Sequence, residues 1–271
     1  IFLVDSEIWP NLILGAKKFK IPLAIINARI TKKSYKKWLR FPNSASKIFG
    51  SFDLCLAASK DSELFLKNLG VKKINFHGNI KFIKNIDANK ITNLNENILR
   101  KRPFWFAAST HPGEEEMCFK THLFLKEKIN NILTIIAPRH IDRSQKIKIS
   151  CENYNLETQI LNKSETIQED KDVIILNSFG ELQNYFKYTK STFIGKSFIE
   201  KLQNVGGQNP LEAAQLNCKI YHGPFVYNFK EIYKILEEYK IAKQINNHEE
   251  LGRYLVEDLD QSNKKYDNNS N

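Results

Sequence analysis

"FWFAASTHPGEEE", residues 104–116, passes from an unbroken apolar run to a Ser-Thr-His-Pro-Gly turn and then to a row of acids. An apolar run of this length, bounded by a turn, is what a strand buried on both faces requires. Acids directly after Pro-Gly suit the positive first turn of a helix. The stretch therefore reads as a strand, a polar turn and a helix, and its repetition decides the fold.

The same succession recurs downstream. Strand runs are "ILTIIAP" (132–138), "LETQIL" (156–161), "VIILNS" (173–178), "TFIG" (192–195), "KIYHG" (219–223) and "AKQIN" (242–246). Helical patterns fall between most of them, and "EELGRYLVEDL" (249–259) follows the last. Upstream, "IFLVD" (1–5), "LAIINAR" (23–29), "LCLAAS" (54–59) and "INFHG" (74–78) alternate with helices in the same way. The clearest helix covers 60–69, with Ser59 as N-cap and Gly70 just past its end. Strands of this kind, each followed by a helix, predict buried parallel sheets. The fold class is α/β, with two Rossmann-like domains, the first incomplete. The expected boundaries are 1–81 for the first domain, 82–102 for a polar linker, 103–260 for the second domain and 261–271 for a disordered Asn-rich tail.

Composition narrows the function. The chain has 271 residues and a net charge of +11, with 41 basic residues of which seven are arginine. Such a balance suits nucleic acid, an anionic membrane or an anionic substrate. The scarcity of arginine, the usual fork for bases and phosphates, argues against nucleic acid. A lysine excess is also what an AT-rich genome produces. The four cysteines are scattered without a C-x-x-C, which points to a reducing compartment and against a zinc site. No H-E-x-x-H, G-x-G-x-x-G or G-x-x-x-x-G-K-[ST] occurs, so neither a metal nor a redox cofactor is expected. No apolar run approaches the ~20 residues of a transmembrane helix.

Ligands of open α/β sheets bind beyond the carboxyl ends of strands. After the first strand stand Glu7 and Trp9; the plain alternative is helix capping by Asp5 or Ser6. After 104–109, Ser109 and Thr110 can supply hydroxyls and N–H groups to an anion, although Glu114, Glu115 and Glu116 oppose a phosphate on that helix. After 132–138, Pro138 stiffens the chain and Arg139 projects from the rim, as a phosphate contact or a surface ion pair. After 173–178, Phe179 offers a face to a flat ring and Gly180 permits close approach. After 192–195 comes "GGQNPLEA" (206–213), where Glu212 can accept two bonds from a sugar's vicinal hydroxyls beside the N–H groups near Asn209. These features fit a nucleotide, and two α/β domains without P-loop or metal suggest a sugar-nucleotide transferase of the GT-B kind.

Seven motifs in order, "VDSEIWPN", "NARI", "GNIKF", "ASTHPGEEE", "APRH", "SFGEL" and "GGQNPLEA", resemble the 3-deoxy-D-manno-octulosonic acid (Kdo) transferases of Gram-negative bacteria, from residue 1 to about 258. Family members usually have Glu-Thr-Glu at Asp5-Ser6-Glu7, His at Gln208, and often Pro at Ala213 and Gly at Lys196. The resemblance implies inverting, metal-free transfer of Kdo from CMP-Kdo to a lipid A precursor (lipid IV-A) at the cytoplasmic face of the inner membrane. It carries CMP binding to Pro138, Arg139, Phe179, Gly180, Glu181, Asn209, Pro210, Leu211 and Glu212. It makes Glu7 and Lys81 the candidates for stabilising the reacting sugar, and it places the general base and the membrane anchor upstream of Ile1. An anionic membrane surface would then account for basic segments such as "RITKKSYKKWLR" (29–40), with Tyr35 and Trp38 settling among headgroups. Two other readings stay open: a non-catalytic nucleotide- or polyanion-binding fragment, and a GT-B transferase for another sugar nucleotide.

Overall fold

The computed structural model describes residues 1–76, 78, 80 and 86–267, with side chains to residue 260. The chain divides into two compact units, Ile1–Asn85 and Ile86–Asn271.

The first unit holds a four-stranded parallel sheet of order β1-β2-β3-β4, formed by Phe2–Val4, Ala24–Ala28, Leu54–Ala57 and Ile74–Phe76. Its core gathers Ile13, Leu23, Ile25, Phe49, Cys55 and Leu66, the apolar faces of strands and helices that water would otherwise touch. The helix Lys60–Asn68 starts as its sequence requires. Ser59 Oγ accepts from the Ser62 N–H at 3.1 Å, and Gly70 follows the end at φ 110°.

The second unit holds seven parallel strands: β5 (Phe104–Thr110), β6 (Leu133–Pro138), β7 (Thr158–Leu161), β8 (Val173–Leu176), β9 (Ser191–Ile194), β10 (Lys219–His222) and β11 (Ala242–Gln244). Their order is β11-β10-β9-β5-β6-β8-β7. Side chains alternate between two cores, Phe104, Phe106 and Ala108 entering one and Trp105 and Ala107 the other. Both faces are therefore covered, which is why these strands read as continuous apolar runs. The chain leaves β5 towards β6 and later returns to lay β9 on the other side of β5. The order thus reverses between β5 and β9, and open sheets take their ligands at such a reversal.

Two expectations differ from the structure. The stretch 82–102 does not stay an unstructured linker where it is described. Residues 86–102 belong to the second unit and include a 3₁₀ turn at Ala88–Lys90 and a helix at Glu96–Lys101, with Ile91, Leu99 and Arg102 buried. Arg102 is held by three carbonyl oxygens, of Asn131, Glu169 and Ile132, at 2.9, 3.0 and 3.2 Å. Polar side chains anchored to distant backbone explain why the stretch looked unpatterned. The tail expected to be disordered from residue 261 continues as helix, since the last helix runs His248–Asp267. Residues 268–271 lie outside the described residues.

No helix among the described residues is long and apolar enough to cross a membrane. In the basic segment 29–40, Thr31 caps the helix Lys32–Trp38. Tyr35 stacks on Phe65 with centroids 4.5 Å apart, and Trp38 meets Phe49 edge-on at 5.2 Å. These rings pack towards the core of the unit instead of standing among the lysines. The exposed apolar groups beside the lysines are Leu39 and Phe41.

Candidate functional site

The strand ends next to the reversal are built by an unusual backbone. Ser109 at the end of β5 has φ 58°, and Lys196 just after β9 has φ 59°. Left-handed conformations at side-chain-bearing residues are uncommon, and here they turn the chain sharply out of the sheet. Between them Gly195 leaves no room for a side chain. A Cβ there would lie 2.5 Å from the Ser109 carbonyl oxygen and 2.7 Å from the Thr110 Cα.

The acids after β5 hold this arrangement. Glu114 is fully buried and its carboxylate accepts four backbone N–H groups: His111 at 2.8 Å, Lys196 at 2.7 Å, Ser197 at 2.8 Å and Phe198 at 2.9 Å. Burial pushes this carboxyl up, while the four donors pull the other way. Glu115 pairs with both Arg143 nitrogens at 2.9 and 3.0 Å and accepts from the Thr110 hydroxyl at 2.9 Å. Only Glu116 behaves as an ordinary surface acid, bridged to Lys120 at 2.9 Å. Glu114 and Glu115 are thus internal clamps between strand ends. Sequence reading missed Glu114, Arg143 and Lys196, whose partners lie far away along the chain.

Thr110 is buried and committed to Glu115, whereas Ser109 is half-buried. Pro138 is buried at the end of β6, and Arg139 is exposed beyond it. The Arg139 N–H bonds to the Thr110 carbonyl at 3.0 Å, while its guanidinium has no partner among the described residues. His111 and His140 stand edge to face, ring centroids 6.0 Å apart. Burial lowers the His111 pKa, and Lys196, His140 and Arg143 add to the effect. Phe179 beyond β8 is 65% exposed, so its face is available to a ring. Gly180 takes φ 80°, and Glu181 accepts from the Ser178 hydroxyl at the head of the helix Leu182–Phe186.

The segment 206–213 is closely packed ahead of its helix. Its glycines serve packing: a Cβ on Gly206 would lie 2.1 Å from the Phe225 carbonyl oxygen, and Gly207 has φ 91° against Val226. Pro210 is the N-cap residue, one position before the first turn, and the helix is only Leu211–Gln215. Asn209 is exposed and its Oδ1 accepts from the Leu211 N–H at 3.1 Å. Pro210 and Leu211 are buried, and Glu212 is half-buried in the first turn. Candidates from β8, β6, β5 and β9 therefore share one edge of one sheet, along four neighbouring strands.

In the first unit, neither Asp5 nor Ser6 caps the helix Pro10–Lys18; its N-cap is Trp9, which makes no side-chain cap bond. Glu7 is exposed and accepts from the Trp9 indole at 2.6 Å. Asp5 and Asn27, at φ 58° and 55°, are joined side chain to side chain. A cavity of ≈ 340 Å³ opens nearby, its lining both apolar, as at Ile25, Ile30 and Phe49, and polar, as at Ser6, Arg29 and Ser34. Lys81 lies outside the described residues. Among the described residues no group of three or more His, Cys, Asp or Glu side chains could hold a metal ion.

Two successive parallel α/β units, the second with its candidate ligand groups at a strand-order reversal, have the build of the GT-B class. Across 96% of this chain the fold matches a solved α,α-trehalose-phosphate synthase from Burkholderia vietnamiensis at 11% identity, with a TM-score of 0.55 and 63% of that chain covered. Residues 1–84 match the family model described as 3-deoxy-D-manno-octulosonic-acid transferase (kdotransferase). A 3-deoxy-D-manno-octulosonic acid transferase of Haemophilus influenzae is 30% identical over 261 residues, covering 94% of this chain and 60% of the relative. The solved C-terminal CMP-Kdo binding domain of WaaA from Acinetobacter baumannii is 25% identical, with a TM-score of 0.51, covering 67% of this chain and 97% of that one. Over most of its length the chain is similar to Kdo transferases, its first 84 residues through the family model and its second unit through the solved domain. It spans 60% of the length of the Haemophilus influenzae relative.

Proposed function

We propose that the chain acts in a glycosyltransferase that moves Kdo from CMP-Kdo to a lipid A precursor, and that its second unit binds the CMP moiety. The observation that carries this reading is Arg139: an unpartnered guanidinium among the described residues, at the strand end next to the sheet's reversal. Sequence kinship with Kdo transferases and likeness to a CMP-Kdo binding domain support the same ligand.

In this reading Arg139 holds the phosphate, Glu212 takes the ribose hydroxyls and Phe179 lies against the cytosine ring. Pro138, Gly180, Asn209, Pro210 and Leu211 shape the backbone around them, Glu181 braces the turn through Ser178, and Ser109 and Thr110 lie at its margin. As an acceptor hydroxyl attacks the anomeric carbon, the bond to phosphate breaks and negative charge grows on CMP. A cation already in place stabilises that charge without reorganising during the step. Attack from the face opposite CMP inverts the centre, and neutralisation by side chains requires no metal. Glu7 and Lys81 are assigned to the reacting sugar. The basic segment 29–40 is assigned to the anionic surface of the inner membrane, from which the lipid acceptor comes.

The test is titration of CMP and of cytidine into the parent and an Arg139→Ala variant. Loss of a charge-assisted bond should weaken CMP by ~10–100-fold and leave cytidine unchanged. Equal CMP affinity in parent and variant would remove Arg139 from the site.

A further inference from the structure

Five lysines of the second unit are half-buried: Lys148, Lys171, Lys187, Lys190 and Lys196. Four have visible reasons to be so. Lys148 and Lys171 pair with acids, Lys187 bonds to the Ile91 carbonyl, and Lys190 bonds to the Asp258 carbonyl. Lys196 alone has no side-chain partner among the described residues. A half-buried lysine lays its stem along the protein and keeps its ammonium available, here for an anion that a ligand brings.

The two buried acids that hold this turn are already committed. The Glu114 carboxylate is occupied by four backbone N–H groups, one of them from Lys196 itself. Glu115 is committed to Arg143 and Thr110. The nearby rings of His111 and His140 add no negative charge. The backbone is equally telling. Lys20 and Lys240 also have positive φ, at 54° and 58°, but both are exposed and follow helix ends, where such turns are routine. Lys196 is half-buried at a strand end, at the reversal, fixed by its bonded N–H and by its carbonyl, which accepts from Gly207.

We propose that Lys196 seats the carboxylate of an acidic donor sugar beside the phosphate held by Arg139. The inference rests on the nucleotide-sugar reading above. A ulosonic acid joined to a nucleotide through its anomeric carbon carries two anions close together, the phosphate and the carboxylate on that carbon. Lys196 follows β9 and Arg139 follows β6, with β5 between them, so the two cations flank one strand end. Two cations so placed distinguish an acidic sugar from a neutral one, which has nothing to offer the second.

The experiment is calorimetric titration of the full chain, Lys196→Gly and Lys196→Met with CMP and with CMP-Kdo. Glycine takes φ 59° without strain and methionine keeps the apolar stem, so thermal melts should stay at or above the parent's. The parent should bind CMP-Kdo more tightly than CMP. Both variants should bind CMP within about twofold of the parent yet lose about tenfold towards CMP-Kdo, the scale of one charge-assisted bond. Unchanged preference for CMP-Kdo in both variants would overturn the proposal alone. Equal losses towards both ligands would make Lys196 a phosphate contact and overturn it too. Absence of CMP binding by the parent would remove the nucleotide reading, and this inference with it.

Discussion

Glu114 Oε2 accepts the Lys196 backbone N–H at 2.7 Å across 82 residues of sequence. The same carboxylate also holds His111, Ser197 and Phe198, so one side chain ties the exit of β5 to the exit of β9. Everything proposed for the ligand edge depends on these two turns keeping their places.

Glu114→Ala should therefore be among the most destabilising single changes in the second unit. It orphans four N–H groups, and an unsatisfied buried donor costs about 1–3 kcal/mol, so even with partial relaxation a loss of ~3–5 kcal/mol is expected. Urea unfolding followed by circular dichroism measures it. A loss below about 0.5 kcal/mol, the range of ordinary surface substitutions, would contradict the clamp.

Glu212→Gln should weaken CMP and cytidine together, because the ribose is common to both, whereas Arg139→Ala should affect CMP alone. About tenfold for each ligand is the expected scale for Glu212. Titration of both ligands into one variant gives the answer, and unchanged affinity for cytidine would remove Glu212 from the ribose.

The lysines of the helix Lys32–Trp38 are exposed and stand next to exposed Leu39 and Phe41. Replacing Lys32, Lys33, Lys36 and Lys37 by Gln should reduce sedimentation with anionic vesicles at low salt, each lysine near such a surface contributing ~1 kcal/mol. CMP affinity should not change. Equal vesicle binding by variant and parent would leave genome composition as the better account of these lysines.

His122 is buried, its Nδ1 2.9 Å from the Thr134 hydroxyl. Burial lowers its pKa from 6.5 to about 4, against the pull of Asp172. A depressed pKa means that the unfolded chain takes up the proton first. The neutral-histidine contribution is thus complete above pH 6.5 and is lost as pH falls through about 4. His111 and His222 are lowered in the same direction. Denaturant midpoints should fall across this window, and His122→Gln should flatten the slope. An unchanged slope in the variant would show that other groups carry it.

Much of the fold was legible because burial on both faces writes itself as unbroken apolar runs. "FWFAAST" and "VIIL" could hardly be anything but central strands. Ser59 and Gly70 bracketed a helix because caps are local chemistry. What stayed hidden was long-range polar work. Asn95 accepts from the Ile167 N–H at 2.8 Å and donates to the Glu165 carbonyl at 3.2 Å, which turns an apparently loose stretch into packed structure. The row Glu114-Glu115-Glu116 read as one dipole-favouring run, yet its three members do three different things. Nothing local reveals that the first meets backbone more than 80 residues away. Arg139 and Glu212 stood out as candidates because strand ends are where α/β sheets bind, and Lys196 did not, because its case rests on which strands lie side by side in the sheet.

The central claim is that the second unit recognises CMP, and calorimetric titration of the chain with CMP, UMP and AMP tests it most directly. Saturable one-to-one binding of CMP is expected, with at least about tenfold weaker binding of the other two, a difference of ~1.4 kcal/mol. Equal affinity for all three nucleotides, or none for CMP, would contradict it.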